Sequence, residues 1–306
     1  MSSQLNDLSN AKSDAVWITP TWRAYLALTK PRIIELLLVT TIPTMFLAAG
    51  GFPAWALVCW TLLGGTLAAG GANVLNCYLD RDIDAMMHRT AHRPSATGQI
   101  SGSRTVTFGL ILSVLSVSVL ALTVNLLSAA LAAFAIAFYV IGYTMLLKRR
   151  TSQNIVWGGA AGCMPVLIGW AAVTNSLSMT PWAFFFVIFF WTPPHFWALA
   201  IKYKDDYAAA GTPMLPVVAT KGRVLGEMWF HTILMIASSI WLISSANLPT
   251  WSMAVTIALG LVFARQLLAL KEGSPEYGKV AGKIFQWSIT YLSLLSIVLV
   301  AAQLLS

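Results

Sequence analysis

An all-α protein crossing a membrane nine times around a central cavity is the fold class this sequence predicts, on three observations. The 306 residues are 58% hydrophobic and only 10% charged, with a mean hydropathy of +0.73. The apolar residues come in runs of about twenty, the length a helix needs to cross a ~30 Å hydrocarbon core. The basic residues alternate from one inter-span connection to the next, as the positive-inside rule requires of a polytopic protein.

The elements follow in order. The first twenty or so residues are rich in Ser, Asn and Asp, and residues 1–28 read as a mobile cytoplasmic tail ahead of a membrane domain over 29–306. No secretory signal is evident, because the first apolar run starts only after some thirty polar or mixed residues. Spans are expected over 33–50, 54–75, 106–126, 129–147, 154–174, 181–201, 228–246, 251–270 and 285–304. The connections at 51–53, 125–128, 175–180 and 247–250 contain no Lys or Arg. All 19 basic residues fall in the N-terminal segment, in the other connections, or at the span ends bordering them. The N-terminus is therefore expected in the cytoplasm and the C-terminus outside, in the cell inner (plasma) membrane.

Asp80, Asp82, Asp84, Asp205, Asp206, Glu227, Glu272 and Glu276 fall on the same predicted side, so the polar apparatus opens toward the cytoplasm. The net charge of +8 then reports topology and attraction to anionic lipid headgroups, not nucleic-acid binding. Trp55, Trp182 and Trp251 each follow an outer connection, where an interfacial aromatic belt belongs. Cys59, Cys77 and Cys163 show no metal-type or CxxC spacing.

Two connections carry chemistry. After the second span comes Asn76-x-x-x-Asp80-x-x-x-Asp84, followed by Arg89 and Arg93. Residues four apart share one helix face, so Asn76, Asp80 and Asp84 form a ladder of hard oxygen ligands suited to Mg2+, an ion often held by one or two carboxylates plus substrate phosphates. Carboxylates at a membrane edge are expensive and usually functional; the bland alternative is a solvated helix end paired with Arg81 and Arg89. Asp82 faces elsewhere and reads as a surface residue.

The second polar connection, after the sixth span, holds Trp191-Thr192-Pro193-Pro194-His195, then Lys202, Asp205, Asp206 and Tyr207. Asp206 is the best candidate there for a second acidic cluster; a solvated loop with Lys202 and Lys204 is the alternative. Arg89, Arg93, Lys148, Arg149 and Lys202 are candidates for clamping diphosphate oxygens, Arg in bidentate fashion and Lys as a point charge. His195, among Trp191, Phe196 and Trp197, reads first as a hydrogen-bonded packing residue and second as a contact to a flat aromatic guest. His88 and His92 stand four apart but lack a third ligand. Pro193-Pro194 is expected to bend or break the sixth span and open a pocket. The two polar loops lie four spans apart, as an internal duplication would place them.

The Asn76–Asp84 array with a second acidic loop four helices later resembles the UbiA-type intramembrane prenyltransferases. Thr29-Lys30-Pro31-Arg32, Asn73-Val74-Leu75-Asn76, Leu147-Lys148-Arg149, the WTPPHFWALA segment from Trp191 and the PMLPVV segment from Pro213 resemble the heme-farnesylating branch of that family. The resemblance runs from about Thr29 to the last span and implies a UbiA-type fold and a Mg2+-dependent transferase. The implied reaction converts heme b to heme O with farnesyl diphosphate as donor. It places Asn76, Asp80, Asp84 and Asp206 as metal ligands, with Lys148 and Lys202 assisting. Asn76, Arg89, Arg93, Arg149, Trp191, His195 and Tyr207 are the residues expected to contact the substrates. Position 202 departs from the family's second acidic motif, being Lys where Asp is usual, which leaves the number of metal ions open. Expected partners are the lipid bilayer and the two substrates; a downstream heme-modifying oxidase and a second copy of the chain remain open. The alternatives weighed are a UbiA-type enzyme acting on a quinone precursor or other aromatic acceptor and, more distantly, a cation-coupled transporter.

Overall fold

The computed structural model describes residues 21–271 and 273–306; the first twenty residues and Glu272 lie outside it. Every regular element among the described residues is helical, as lipid demands of a chain that satisfies its own backbone groups within each segment. A short helix, α1 (Trp22–Leu28), precedes α2 (Pro31–Ala49) and α3 (Trp55–Leu79). The six-residue α4 (Arg81–Met86) carries the chain away from α3. Then come α5 (Gly102–Thr123) and α6 (Leu126–Ala137), which continues without interruption as a π-helix over Phe138–Leu147. The chain proceeds through α7 (Asn154–Gly158), α8 (Ala160–Thr174), α9 (Met179–Lys202), α10 (Lys204–Ala209), α11 (Leu215–Val218), α12 (Lys221–Ser245), α13 (Thr250–Leu268) and α14 (Tyr277–Leu304).

Eight of these stretches are long and apolar enough to cross a membrane. The first predicted span corresponds to α2, whose apolar stretch, Leu38–Ala49, is shorter than the others. Within the segment assigned to a tail, Trp22–Leu28 is a helix. Its Ala24 and Leu28 are buried in one cluster with Val74 and Cys77 of α3, so the packed region starts before residue 29. The expected break at Pro193-Pro194 does not occur: α9 runs through both prolines. Both prolines are buried, and just ahead of them the Thr192 hydroxyl donates to the Ile188 carbonyl at 2.7 Å.

The returns at the end poor in charge use left-handed caps. Gly50, Asn175 and Asn247 have φ of 65°, 49° and 51°, a conformation open to Gly and tolerated by Asn. Asn125 caps α6 by accepting the Ser128 N–H at 2.8 Å.

α3 packs closely on α5, α2 on α8, and α9 on both α12 and α14. Lipid tails are as apolar as leucine, so small residues and interhelical hydrogen bonds drive such contacts. At the α3–α5 crossing the Ser116 hydroxyl donates to the Gly64 carbonyl at 2.7 Å. A Cβ on Gly71 would stand 2.9 Å from both the Gly109 oxygen and the Ser113 nitrogen. The largest apolar cluster joins α8, α9, α12, α13 and α14 through Val166, Phe184, Trp197, Met228, Phe263 and Tyr291. Leucines and isoleucines of α5 such as Leu110, Ile111 and Leu122 face outward, as a lipid-facing surface would.

Candidate active site

The site is built where α3 ends. The Asp80 N–H bonds the Asn76 carbonyl at 2.9 Å, and the Asp84 N–H bonds the Asp80 carbonyl at 2.8 Å, so the four-residue register survives the change from α3 to α4. Asn76, Asp80 and Asp84 are all buried, whereas Asp82 is exposed. The ladder expected from the spacing is present.

What meets the ladder is cationic. Lys148 forms an ion pair with Asp80, and Arg93 grips Asp84 through both carboxylate oxygens at 2.8 and 2.7 Å. Arg149 forks onto Asp82 at 2.7 Å, donates to the Leu79 carbonyl at 2.9 Å, and its guanidinium stands 3.8 Å from Asp80 Oδ1. The Arg149 hydrogen bonds hold the Asp82 carboxyl well below its ordinary value, at about 2.

Asn76 is fixed at both ends of its amide. Its Nδ2 donates to Asp80 Oδ2 at 2.7 Å and to the Thr144 hydroxyl at 3.1 Å, while Oδ1 accepts from Lys30 Nζ at 2.6 Å. The Lys148 side arrives through the π-helix. There the Lys148 N–H bonds the Tyr143 carbonyl five residues back at 2.8 Å, and the Thr144 hydroxyl bonds the Tyr139 carbonyl at 2.9 Å. Such wide turns recur at functional sites because they re-aim side chains; here Thr144 and Lys148 face the ladder together. A cavity of about 370 Å³ borders this cluster, walled by Asp82, Thr144 and Arg149.

The second loop is joined to the first through Arg89, whose neighbour Thr90 ties back to Asp84 within the first loop. The Thr90 hydroxyl donates to the Asp84 carbonyl at 3.1 Å. The Arg89 backbone N–H reaches Asp206 Oδ2 at 3.5 Å, and its guanidinium donates to the Tyr207 hydroxyl at 3.2 Å beside the ring of Tyr203 at 5.4 Å. Lys202 is exposed, with Nζ 5.4 Å from the Tyr203 centroid. Asp205, His88 and His92 are exposed.

His195 is placed elsewhere, in a buried stack. Its ring lies between Trp191 at 4.2 Å and Phe285 at 4.6 Å, and Nδ1 is 2.6 Å from the Ser288 hydroxyl. Trp191 Nε1 donates to the Ser288 carbonyl at 2.7 Å. This is the hydrogen-bonded packing arrangement.

Among the described residues no three His, Cys, Asp or Glu side chains converge as a metal-binding group. The carboxylates are instead met by cations: Asp80 by Lys148, Asp84 by Arg93. One atom is left over. Asp80 Oδ1 is buried without a hydrogen-bond partner, with only the Arg149 guanidinium at 3.8 Å across from it, and a hard cation would satisfy it more fully.

Sequence reasoning gave no site role to Lys30 or Thr144. A signal existed for each: Thr144 stands four residues before Lys148, and Lys30 is a cation at the very start of an apolar run.

The UbiA prenyltransferase family model matches residues 37–302. The protoheme IX farnesyltransferase of Kineococcus radiotolerans is 50% identical, the match covering 90% of this chain and 86% of that protein. Its namesake from Streptomyces avermitilis is 50% identical over 89% of this chain and 91% of that protein. Among solved structures, one described as digeranylgeranylglyceryl phosphate synthase superposes with a TM-score of 0.76 at 15% identity, over 93% of this chain and 99% of that one. A UbiA homolog from Archaeoglobus fulgidus bound to GPP and Mg2+ gives a TM-score of 0.65 at 15% identity, over 91% and 99%. At such identity these structures speak for the fold alone.

Proposed function

The chain belongs to the UbiA prenyltransferase family, and from that premise we propose that it transfers a farnesyl group from farnesyl diphosphate to a vinyl carbon of heme b, giving heme O with its hydroxyethylfarnesyl side chain. The observation that carries this reading is the buried Asn76–Asp80–Lys148 network beside Arg93–Asp84, in a chain whose relatives at about half identity bear the name protoheme IX farnesyltransferase. It is a multi-pass membrane protein. Its N-terminus and site are assigned to the cytoplasmic side of the cell membrane and its C-terminus to the outside, from the distribution of Lys and Arg.

Asn76, Asp80, Asp84 and Asp206 would be the residues that hold Mg2+ once Asp80 and Asp84 exchange their cationic partners for it. Asp80 Oδ1, buried without a hydrogen bond, favours this assignment. When bound, the ion neutralises negative charge on diphosphate.

The chain's own residues do the rest. The C1–O bond of farnesyl diphosphate breaks with both electrons going to the diphosphate. Lys148, Arg93, Arg89, Arg149 and Lys202 then stabilise that leaving group more as its charge grows than in the ground state, which is what lowers a barrier. Asn76, held by Lys30 and Thr144, keeps Asp80 aimed. The vinyl π electrons bond to the allylic carbon, and water adds to the resulting cation with loss of a proton. Water must stay out until then, a condition the apolar interior favours. Tyr207 positions Arg89, while Trp191 and His195 form a rigid wall through their stack on Phe285.

The test is an incubation of membranes containing the protein with heme b, farnesyl diphosphate and Mg2+, followed by mass analysis of extracted hemes. Heme O should appear and should vanish when EDTA replaces Mg2+. A folded, metal-supplied preparation that prenylates a quinone precursor and leaves heme unchanged would overturn the assignment.

A further inference from the structure

A second cavity, about 320 Å³, shares Arg81 with the first but is bordered by none of the residues assigned to diphosphate or metal; its walls include Tyr78, Arg81, Ser95, Ser101 and Gly102. Three features of it point to an anion. Ser95 is 9% exposed, and its hydroxyl has no hydrogen-bond partner, an unmet need of a kind that proteins rarely leave buried.

The long helix α5 starts at Gly102 in the same wall. Its cap residue Ser101 accepts from no first-turn backbone N–H, its hydroxyl instead lying 3.4 Å from that of Ser103. The first-turn N–H groups thus keep their donors and the positive end of the helix dipole. Glycine at 102 lets the Tyr78 ring close on that turn, since a Cβ there would stand 2.8 Å from the ring.

Arg81 is the third feature. It is pinned by a 2.9 Å bond to the Tyr78 carbonyl with its guanidinium 4.4 Å from the Tyr78 centroid, and it has no carboxylate partner among the described residues. Arg104, in the first turn of α5, adds a cation where a helix start disfavours one, unless an anion sits between.

We infer that this cavity binds a phosphate group, with Arg81 and the first-turn amides of α5 on its oxygens and the Ser95 hydroxyl donating a further bond. The surroundings favour a phospholipid headgroup as the source. Ile100, on the cavity wall, shares an apolar cluster with Ala24 and Leu28 of α1, and α1 turns Trp22 and Leu26 outward at 70% and 49% exposure, as a helix lying in a lipid interface does. Free phosphate offers the same chemistry.

The test compares the full chain with Arg81→Gln and Ser95→Ala. Native mass spectrometry would count bound phosphatidylglycerol against phosphatidylcholine, and thermal unfolding would be followed against inorganic phosphate. Phosphatidylglycerol should bind in preference to phosphatidylcholine, and each variant should weaken it about tenfold, the loss expected for one charge-assisted bond. A variant-sensitive response to inorganic phosphate without lipid preference would support the site with free phosphate as its ligand. Equal binding of both probes to the parent and the two variants would overturn it. Ser95→Ala removes one oxygen and decides the matter if Arg81→Gln fails to fold. The effect should persist in a Lys148→Met background; its loss there would place the phosphate at the diphosphate site and also overturn the inference.

Discussion

Asp80 and Asp82 are two residues apart and should behave as opposites. Asp80 is wholly buried, paired with Lys148 and holding a spare oxygen, while Asp82 is exposed and paired with Arg149 in solvent. Asp80→Asn keeps the shape but removes the charge, and should lower farnesyl transfer at least ~10²-fold, the scale seen when one electrostatic stabiliser is removed, with normal amounts of protein in the membrane. Asp82→Asn should leave turnover within about twofold, as solvent-screened pairs contribute about 0–1 kcal/mol. Turnover by purified Asp80→Asn close to the parent's would remove the ligand assignment. Because the Asp82 carboxyl titrates at about 2, its pairing is fully present above the ordinary carboxylate value and is lost only as pH falls through about 2, so it adds nothing to pH dependence near neutrality. His195 supplies the second contrast at this scale. His195→Ala should lower the unfolding temperature, since it empties the stack between Trp191 and Phe285, yet leave heme absorbance unchanged. An altered heme spectrum at unchanged stability would make His195 a heme contact instead.

At the level of elements, the close approach of α3 and α5 is decided by backbone, which cannot move aside. Gly71→Ala would push a methyl to within 2.9 Å of two backbone atoms of α5. It should destabilise by about 1–3 kcal/mol, as overpacking does, read as a lower midpoint in detergent unfolding. Gly65→Ala, six residues earlier on the same helix, has nothing within 4 Å of its new Cβ and should be neutral or slightly stabilising, since alanine is the better helix former. Equal effects would show that this crossing is not what holds the two helices. Elements also mark where sequence reasoning stops. The Asn76–Asp80–Asp84 ladder was legible because spacing alone puts residues on one face. The π-turn over Phe138–Leu147 was not, since it follows from how α6 fits its neighbours and leaves no periodic signature. Thr144 therefore stayed unassigned although it sits one turn before Lys148. Of the bend or break expected at the two prolines in α9, the break does not occur: the helix runs on through both, each of them buried among its neighbours.

For the molecule as a whole, charge is the organising quantity. The ion pairs of the site, Lys148–Asp80, Arg149–Asp82 and Arg93–Asp84, collect where α3 gives way to α4. The returns at residues 50–54, 124–125, 175–178 and 246–249 carry no Lys, Arg, Asp or Glu and rely on glycine and asparagine caps. A chain crossing a bilayer with this asymmetry has one low-energy orientation, because Lys and Arg near span ends are retained on the cytoplasmic side. Single cysteines at Asn247 and Lys221, placed in a background lacking Cys59, Cys77 and Cys163, separate the two faces. In intact cells a membrane-impermeant maleimide should label the cysteine at 247 and spare the one at 221; after permeabilisation both should react. The reverse pattern would turn the molecule over, and with it the side from which the diphosphate, and any phosphate in the Ser95 cavity, must arrive.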